Sequence, residues 1–254
     1  MSTHPAHRIR LLKLLAIPLA LGSVAAALSA RQGQPTEPFE QAELFFELND
    51  TDGDLGIHAA IDGGTWTSLD VEGPTNLLRI VTKGTLRTQG LTQLAFESAE
   101  PDFEELDPKD FFNRFPEGLY DIEASAQEGG TFKSKVPLSH VMAAPPAATV
   151  DGLPTAENCD ALDLPVVVGP VLIDWGPVTQ SHPEIGRAGA VTISRYQFFL
   201  EQGEIKLSVD LPPTVTEFEI PTSLTDLGGV FKFEIIARTS TGNNTAVENC
   251  FRVQ

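Results

Sequence analysis

The sequence predicts an all-β protein of two successive β-sandwiches behind an export signal, with one short helix in the first sandwich. Three observations carry this reading. Glycine (21) and proline (19) punctuate the 254 residues often, which suits many short strands better than long helices. Short runs alternate apolar and polar side chains, the period of half-buried strands. A helical spacing of apolar residues interrupts that rhythm at one segment, Asp107 to Phe115. Hydrophobic residues make up 41% of the chain, enough for a packed core.

Residues 1–30 read as a signal peptide. Arg8, Arg10 and Lys13 precede the apolar run Leu14 to Leu28, and small residues close it at Ser29 and Ala30. A basic flank, a short apolar stretch and a small-residue end are the parts of a secretory leader. The run is short for a bilayer span and is broken by Pro18 and Gly22. An uncleaved anchor is the alternative. Cleavage is expected after Ala27 or Ala30, giving a secreted, periplasmic or extracellular protein without stable membrane insertion. Removing the three leader cations leaves 14 of the 17 basic side chains against all 35 acidic ones, a net of −21 instead of −18. That charge repels nucleic acid phosphates and anionic membranes.

A leader at 31–38 gives way to the first β block, residues 39–142. Its strands are expected at Glu43–Leu48, Leu55–Ile61, Trp66–Val71, Leu77–Thr82 and Leu91–Glu97. Tyr120–Ala126 and Phe132–Val141 form a closing hairpin turned at Glu128-Gly129-Gly130. The helix lies near 108–115. Asp107 can cap it, Pro108 suits its first position, and Phe111, Phe112 and Phe115 form its apolar stripe before Pro116 and Gly118 stop it. Residues 143–154, opening Ala143-Ala-Pro-Pro-Ala-Ala-Thr149, read as a Pro/Ala linker.

The second block, 155–254, carries more specific patterns. Val171-Leu-Ile-Asp-Trp175 is a strand ending in tryptophan. Ile193, Tyr196 and Phe198 share a strand, and Phe231, Phe233, Ile235 and Ala237 alternate toward Gly242. Ile205, Leu207 and Val209 alternate with polar neighbours, as do Phe218 and Ile220. Over about residues 162–254 these stretches resemble a fibronectin type III domain of an exported, bacterial-type protein. The resemblance implies that Trp175 packs in the core from the second strand. It implies that the third strand carries Ile193, Tyr196 and Phe198, and the sixth the run from Phe231. Phe231 stands where the family usually has a corner tyrosine, so that hydroxyl is missing. The Gly-rich stretch Ser181 to Ala190 lengthens the loop between the second and third strands. The first block is read as a second immunoglobulin-like or related sandwich.

Cys159 is expected before the first strand of the second domain and Cys250 in its last. An exported chain meets an oxidising compartment, and two cysteines at opposite ends of one domain are expected to pair there. Two cysteines cannot build a cysteine-rich metal site.

The sharpest local chemistry is Asn49-Asp-Thr-Asp-Gly-Asp-Leu-Gly56. Carboxylates at Asp50, Asp52 and Asp54, with Asn49, can converge on a hard cation, and calcium is the candidate. Asp62 joins only if the fold brings it back. Leu55 stands where an EF-hand loop would have glycine, and Ile61 where it would have glutamate. A plain Asp-Gly hairpin turn is the alternative. Of the histidines beyond residue 30, His58, His140 and His182 sit in no known catalytic motif. The expected role is therefore a non-catalytic binding or structural protein of the envelope or extracellular space, its partner an unidentified protein or polysaccharide. A hydrolase or hydrolase accessory acting on extracellular polysaccharide is the alternative. A sugar-binding sheet face would need an exposed aromatic, and Trp66 is the free candidate.

Overall fold

The computed structural model describes residues 35–75 and 77–254. The export signal expected over 1–30 lies outside the described residues.

The N-terminal half runs β1 (Thr36–Glu37), β2 (Gln41–Asn49), β3 (Asp54–Glu72), β4 (Leu77–Val81), α1 (Thr85–Gln89), β5 (Leu91–Glu97), α2 (Pro108–Arg114), β6 (Gly118–Ala126) and β7 (Thr131–Leu138). The C-terminal half continues with β8 (Val141–Ala143), β9 (Ala148–Val150), β10 (Leu153–Pro154), β11 (Val166–Val167), β12 (Val171–Trp175) and β13 (Ser181–Gly186). Then come β14 (Ile193–Gln202), β15 (Ile205–Leu211), β16 (Glu217–Ile220), α3 (Thr222–Thr225), β17 (Gly229–Thr239) and β18 (Asn244–Val253).

β3 joins two of the expected strands, Leu55–Ile61 and Trp66–Val71, into one 19-residue strand. Gly63 and Gly64 fall inside a register break between Asp62 and Trp66. Glycine supplies the backbone freedom such a bend needs. The leg before the break pairs with β2 and β5, and the leg after it with β6 and β4. At the break, Trp66 is flanked by Leu91 of β5 and Ala126 of β6. It is fully buried. Trp66 therefore belongs to the core and offers no sugar-stacking face, because the bend turns its side chain inward.

The expected helix forms as α2. Asp107 accepts a hydrogen bond from the Lys109 N–H, Pro108 opens the helix, and Phe111 and Phe112 are buried. Both rings meet Phe46 edge-on. A second short helix, α1, was not expected. It spans the gap between β4 and β5, between Gly84 and Gly90, which both take positive φ.

The largest sheet runs β1-β7-β6-β3-β2-β18-β17-β14-β15 and so passes through both halves. The join is the parallel pairing of β2 with β18, with Glu47 beside Asn244 and Asn49 beside Ala246. A second sheet, β10-β9-β12-β16, faces the C-terminal part of the first. Val150, Ile173, Trp175 and Ile220 from one face share a buried cluster with Tyr196, Phe198, Phe231 and Phe233 from the other. A separate cluster, built on Phe46, Trp66, Leu69 and Ile122, fills the N-terminal half.

The Pro/Ala stretch is not a free linker. Val141–Ala143 pairs with β13, and Ala148–Val150 is an inner strand whose Val150 lies opposite Ile173. Asp151 and Gly152, both at positive φ, turn it into β10, as an Asp-Gly pair does in tight hairpins. Prolines 145 and 146 sit between the two short strands, where their missing N–H groups cost no ladder bond. Cys159 consequently follows the first strand of the second sheet instead of preceding it. The presumed loop Ser181–Ala190 contributes β13.

Candidate functional site

The acidic loop is the tight connection between β2 and β3. Asn49 organises it. Its Oδ1 accepts from the Thr51 and Asp52 N–H groups at 3.2 and 3.3 Å, its Nδ2 donates to Asp52 Oδ2 at 3.0 Å, and its carbonyl accepts from Gly53 N. Gly53 takes φ +69° to close the turn. β3 begins at Asp54, and strand alternation then buries Leu55 and Ile57. This is why glycine is not needed at position 55.

The loop carboxylates go to different tasks. Asp50 Oδ1 accepts from His182 Nε2 at 2.8 Å, 132 residues away in sequence. His182 is buried, and its Nδ1 accepts from the Glu184 and Ile185 N–H groups, so Nε2 carries the proton. Asp52 is held by Asn49. Asp54 forms an isolated antiparallel bridge with Asp102. Asp62 caps the Gly63 N–H at 2.8 Å and stands eight strand positions beyond Asp54, roughly 26 Å by strand rise. The fold does not return it to the loop. Among the described residues no group of three or more His, Cys, Asp or Glu side chains is placed to hold a metal ion. Asn49, Asp50, Asp52 and Asp54 thus form the turn between β2 and β3, with one oxygen of Asp50 paired to His182 and one of Asp52 to Asn49.

What the loop does is dock the two halves. The Asp50 N–H donates to Ala246 O at 2.9 Å. Thr51 Oγ1 donates to Glu248 O and accepts from Glu248 N. Nearby, Arg238 donates to Glu43 Oε2 at 2.8 Å and covers the Phe45 ring, 4.6 Å from its centre. Phe45 in turn stacks on His58, whose Nε2 meets Glu100 Oε1 at 2.8 Å. His140 Nε2 meets Phe115 O.

These contacts crowd acids on the sheet face that crosses the junction. The Asp54 carboxyl is pushed up to about 6, first by burial and then by Glu100, Asp52, Asp102 and Glu248. Glu234, on β17 opposite Glu248, is pushed up to about 7 by burial, then by Glu47 and Glu248, against the opposing pull of Lys232. Lys232 pairs with Glu248. The sequence reading missed this group, because Glu47, Glu234 and Glu248 each look like ordinary outward strand positions. The β17–β18 pairing sets Glu234 opposite Glu248, and the β2–β18 pairing adds Glu47.

Glu234 gives a pH prediction. Its folded value near 7 lies above the ordinary 4.5, so between those values the folded state holds a proton that the unfolded chain releases. Stability therefore falls as pH rises through that window, and the cost is complete above it. Glu234→Gln removes an ionisation cost of at most about 3 kcal/mol. Urea unfolding is expected to show the variant more stable than wild type by about 1–3 kcal/mol near pH 8, and by nearly nothing near pH 4. Equal curves at both pH values would mean that Glu234 is fully solvated.

Cys159 and Cys250 are bonded as a disulfide, with Cα atoms 5.1 Å apart, as expected. Cys250 lies on β18 beside Lys232.

No known family model matches the chain, and no curated protein matches it. Solved structures with some likeness include a bacterial 1.5-MDa ice-binding adhesin (10% identity, TM-score 0.26, covering 87% of this chain and 66% of that one). Another is a Ca2+-stabilised ice-binding adhesin of an Antarctic bacterium (11%, 0.26, 87% and 50%). A third is the human OSCAR ligand-binding domain (11%, 0.25, 85% and 97%). The chain spans about two thirds and one half of the two adhesin structures. TM-scores this low do not establish a shared fold.

Proposed function

We propose that the protein is exported and non-catalytic, a β-sandwich module that binds or braces other molecules in the envelope or outside the cell. The Cys159–Cys250 disulfide carries the export reading, since such bridges persist in oxidising compartments. The basic and apolar leader supports it. The non-catalytic reading is supported by how the polar side chains are used. His58, His140 and His182 each hold a structural partner, and the acidic loop ties two cores into one sheet.

The C-terminal half is a fibronectin type III-like sandwich in this reading. With β9 as its first strand, the second strand β12 carries Trp175, the third β14 carries Tyr196 and Phe198, and the sixth β17 carries Phe231. Phe231 fills the corner position as a fully buried ring stacked on Phe251. The ligand class is a protein or polysaccharide and not nucleic acid, which the net charge of −18 repels.

The test is N-terminal sequencing and non-reducing intact mass on protein recovered from outside the cytoplasm. The chain is expected to begin after Ala27 or Ala30 and to lack both thiol hydrogens. An intact Met1 with two alkylatable thiols in the cytoplasm overturns the proposal.

A further inference from the structure

An apolar cleft of about 380 Å3 opens into the N-terminal core. Its inner wall is built by Leu44, Ile57, Val71 and Tyr120, all buried. Leu78, Ile80, Phe96 and Phe115 stand round its mouth, and Leu78 is 41% exposed. The cleft exists because β3 bends. β4 and β5 flank different legs of that strand, and each pairs with β3 alone among the described strands, so no strand seals the space between them.

The wall chemistry selects the occupant. Among the described residues no charged side chain lines the cleft. Its two hydroxyls are already used inside the protein. Tyr120 OH donates to Pro116 O at 3.0 Å, and Ser98 Oγ accepts from Ile57 N and donates to Ala99 O. Both hydroxyl hydrogens are spent, so a ligand acceptor would go unpaired there, at a real cost. A hydrocarbon segment loses nothing and leaves water. The volume falls in the range of small-molecule sites. The half-exposed mouth leaves room for a polar head in solvent, and a protein of net charge −18 disfavours an anionic one.

We propose that this cleft binds the alkyl chain of a neutral single-chain amphiphile. This site is separate from the protein or polysaccharide binding proposed above, and it depends neither on that reading nor on export, which is tested separately.

The test is titration of the full chain with the neutral dye N-phenylnaphthylamine, followed by displacement with decanol and with decanoate. Saturable binding at one site is expected, with decanol displacing the dye more strongly than decanoate. Leu78→Asp places a carboxylate at the mouth from an exposed position and is expected to weaken dye binding by at least about tenfold. Val81→Asp, on the same strand and outside the cleft, is expected to leave it unchanged. The proposal is overturned by unsaturable dye binding, by equal binding in Leu78→Asp, or by loss in both variants. Displacement by decanoate as strong as by decanol removes the neutral-head part of the assignment. A concentration-dependent dimer that Leu78→Asp dissociates overturns it in favour of a second copy covering the cleft.

Discussion

Replacing Trp175 with alanine is expected to destabilise the protein by about 3–5 kcal/mol, the usual range for truncating a large core side chain. Trp175 is 4% exposed at the end of β12, and its ring meets Tyr196 edge-on with centroids 5.5 Å apart. Its indole Nε1 has no hydrogen-bond partner among the described residues, so its contribution is packing. Trp175→Phe should therefore lose much less than Trp175→Ala. Truncation also removes the support behind Tyr196, whose hydroxyl accepts from Val178 N at 2.9 Å and holds the chain leaving β12.

Denaturant unfolding of the Trp175→Ala variant reports more than its size. The two buried clusters are joined by the β2–β18 pairing, the Asp50–His182 bond and the Thr51–Glu248 exchange. Ties of this kind make the halves one cooperative unit, so a single transition is expected to move as a whole. A loss below about 1 kcal/mol would show that the core around Trp175 tolerates the cavity, contrary to the packing described. A split into two transitions, with one unmoved, would show the halves to be independent.

Much of the fold was legible residue by residue. Period-two alternation placed β2, β5, β6, β14, β15 and β17 within a residue or two, and the cap and proline signals placed α2. The family resemblance implied a core position for Trp175 and placed Tyr196 and Phe198 on the third strand, and the structure buries all three. What failed was non-local. The alanines and prolines of 143–154 carry no strand propensity. They become strand because Val150 finds Ile173, and because β8 lies against β13. The local Asp-Gly pair at 151–152 was a usable hairpin signal that composition obscured.

The acidic loop was legible only locally, for a related reason. Asp50, Asp52 and Asp54 share a short stretch, so sequence proximity suggests convergence. The structure pairs one carboxylate with His182 and one with Asn49, and sets the third near Glu100, Asp102 and Glu248. Asp62 lies on the same face as Asp54 by alternation, yet β3 runs straight between them in register with β2. A common face does not imply closeness. Acid neighbours of Asp54 arrive instead from Glu100 and Asp102 after β5 and from Glu248 of β18, a meeting that no local pattern announces.

Asn243 is the second position where a single change is expected to cost heavily, again about 3–5 kcal/mol, the sum of three buried backbone groups left without partners. It sits in the turn between β17 and β18, is fully buried, and uses its whole amide. Its Oδ1 accepts from the Phe46 N–H of β2 at 3.0 Å. Its Nδ2 donates to Ser139 O at 2.7 Å and to Val141 O at 3.1 Å. The side chain thus acts as a short piece of sheet ladder, holding the N-terminal core to the crossing between β7 and β8. Alanine leaves one N–H and two carbonyls unpaired away from water. Aspartate keeps the acceptor for Phe46 but sets a carboxylate against two carbonyl oxygens, so it should cost at least as much. Gln at the same position has the right groups one methylene too far out, and overpacking there prevents full rescue. Urea unfolding of Asn243→Ala and Asn243→Asp measures these losses, and hydrogen exchange at the Phe46 amide reports the local bond. A loss under about 1 kcal/mol, with Phe46 still protected, would mean that water replaces the amide and that the junction is wetter than its packing indicates.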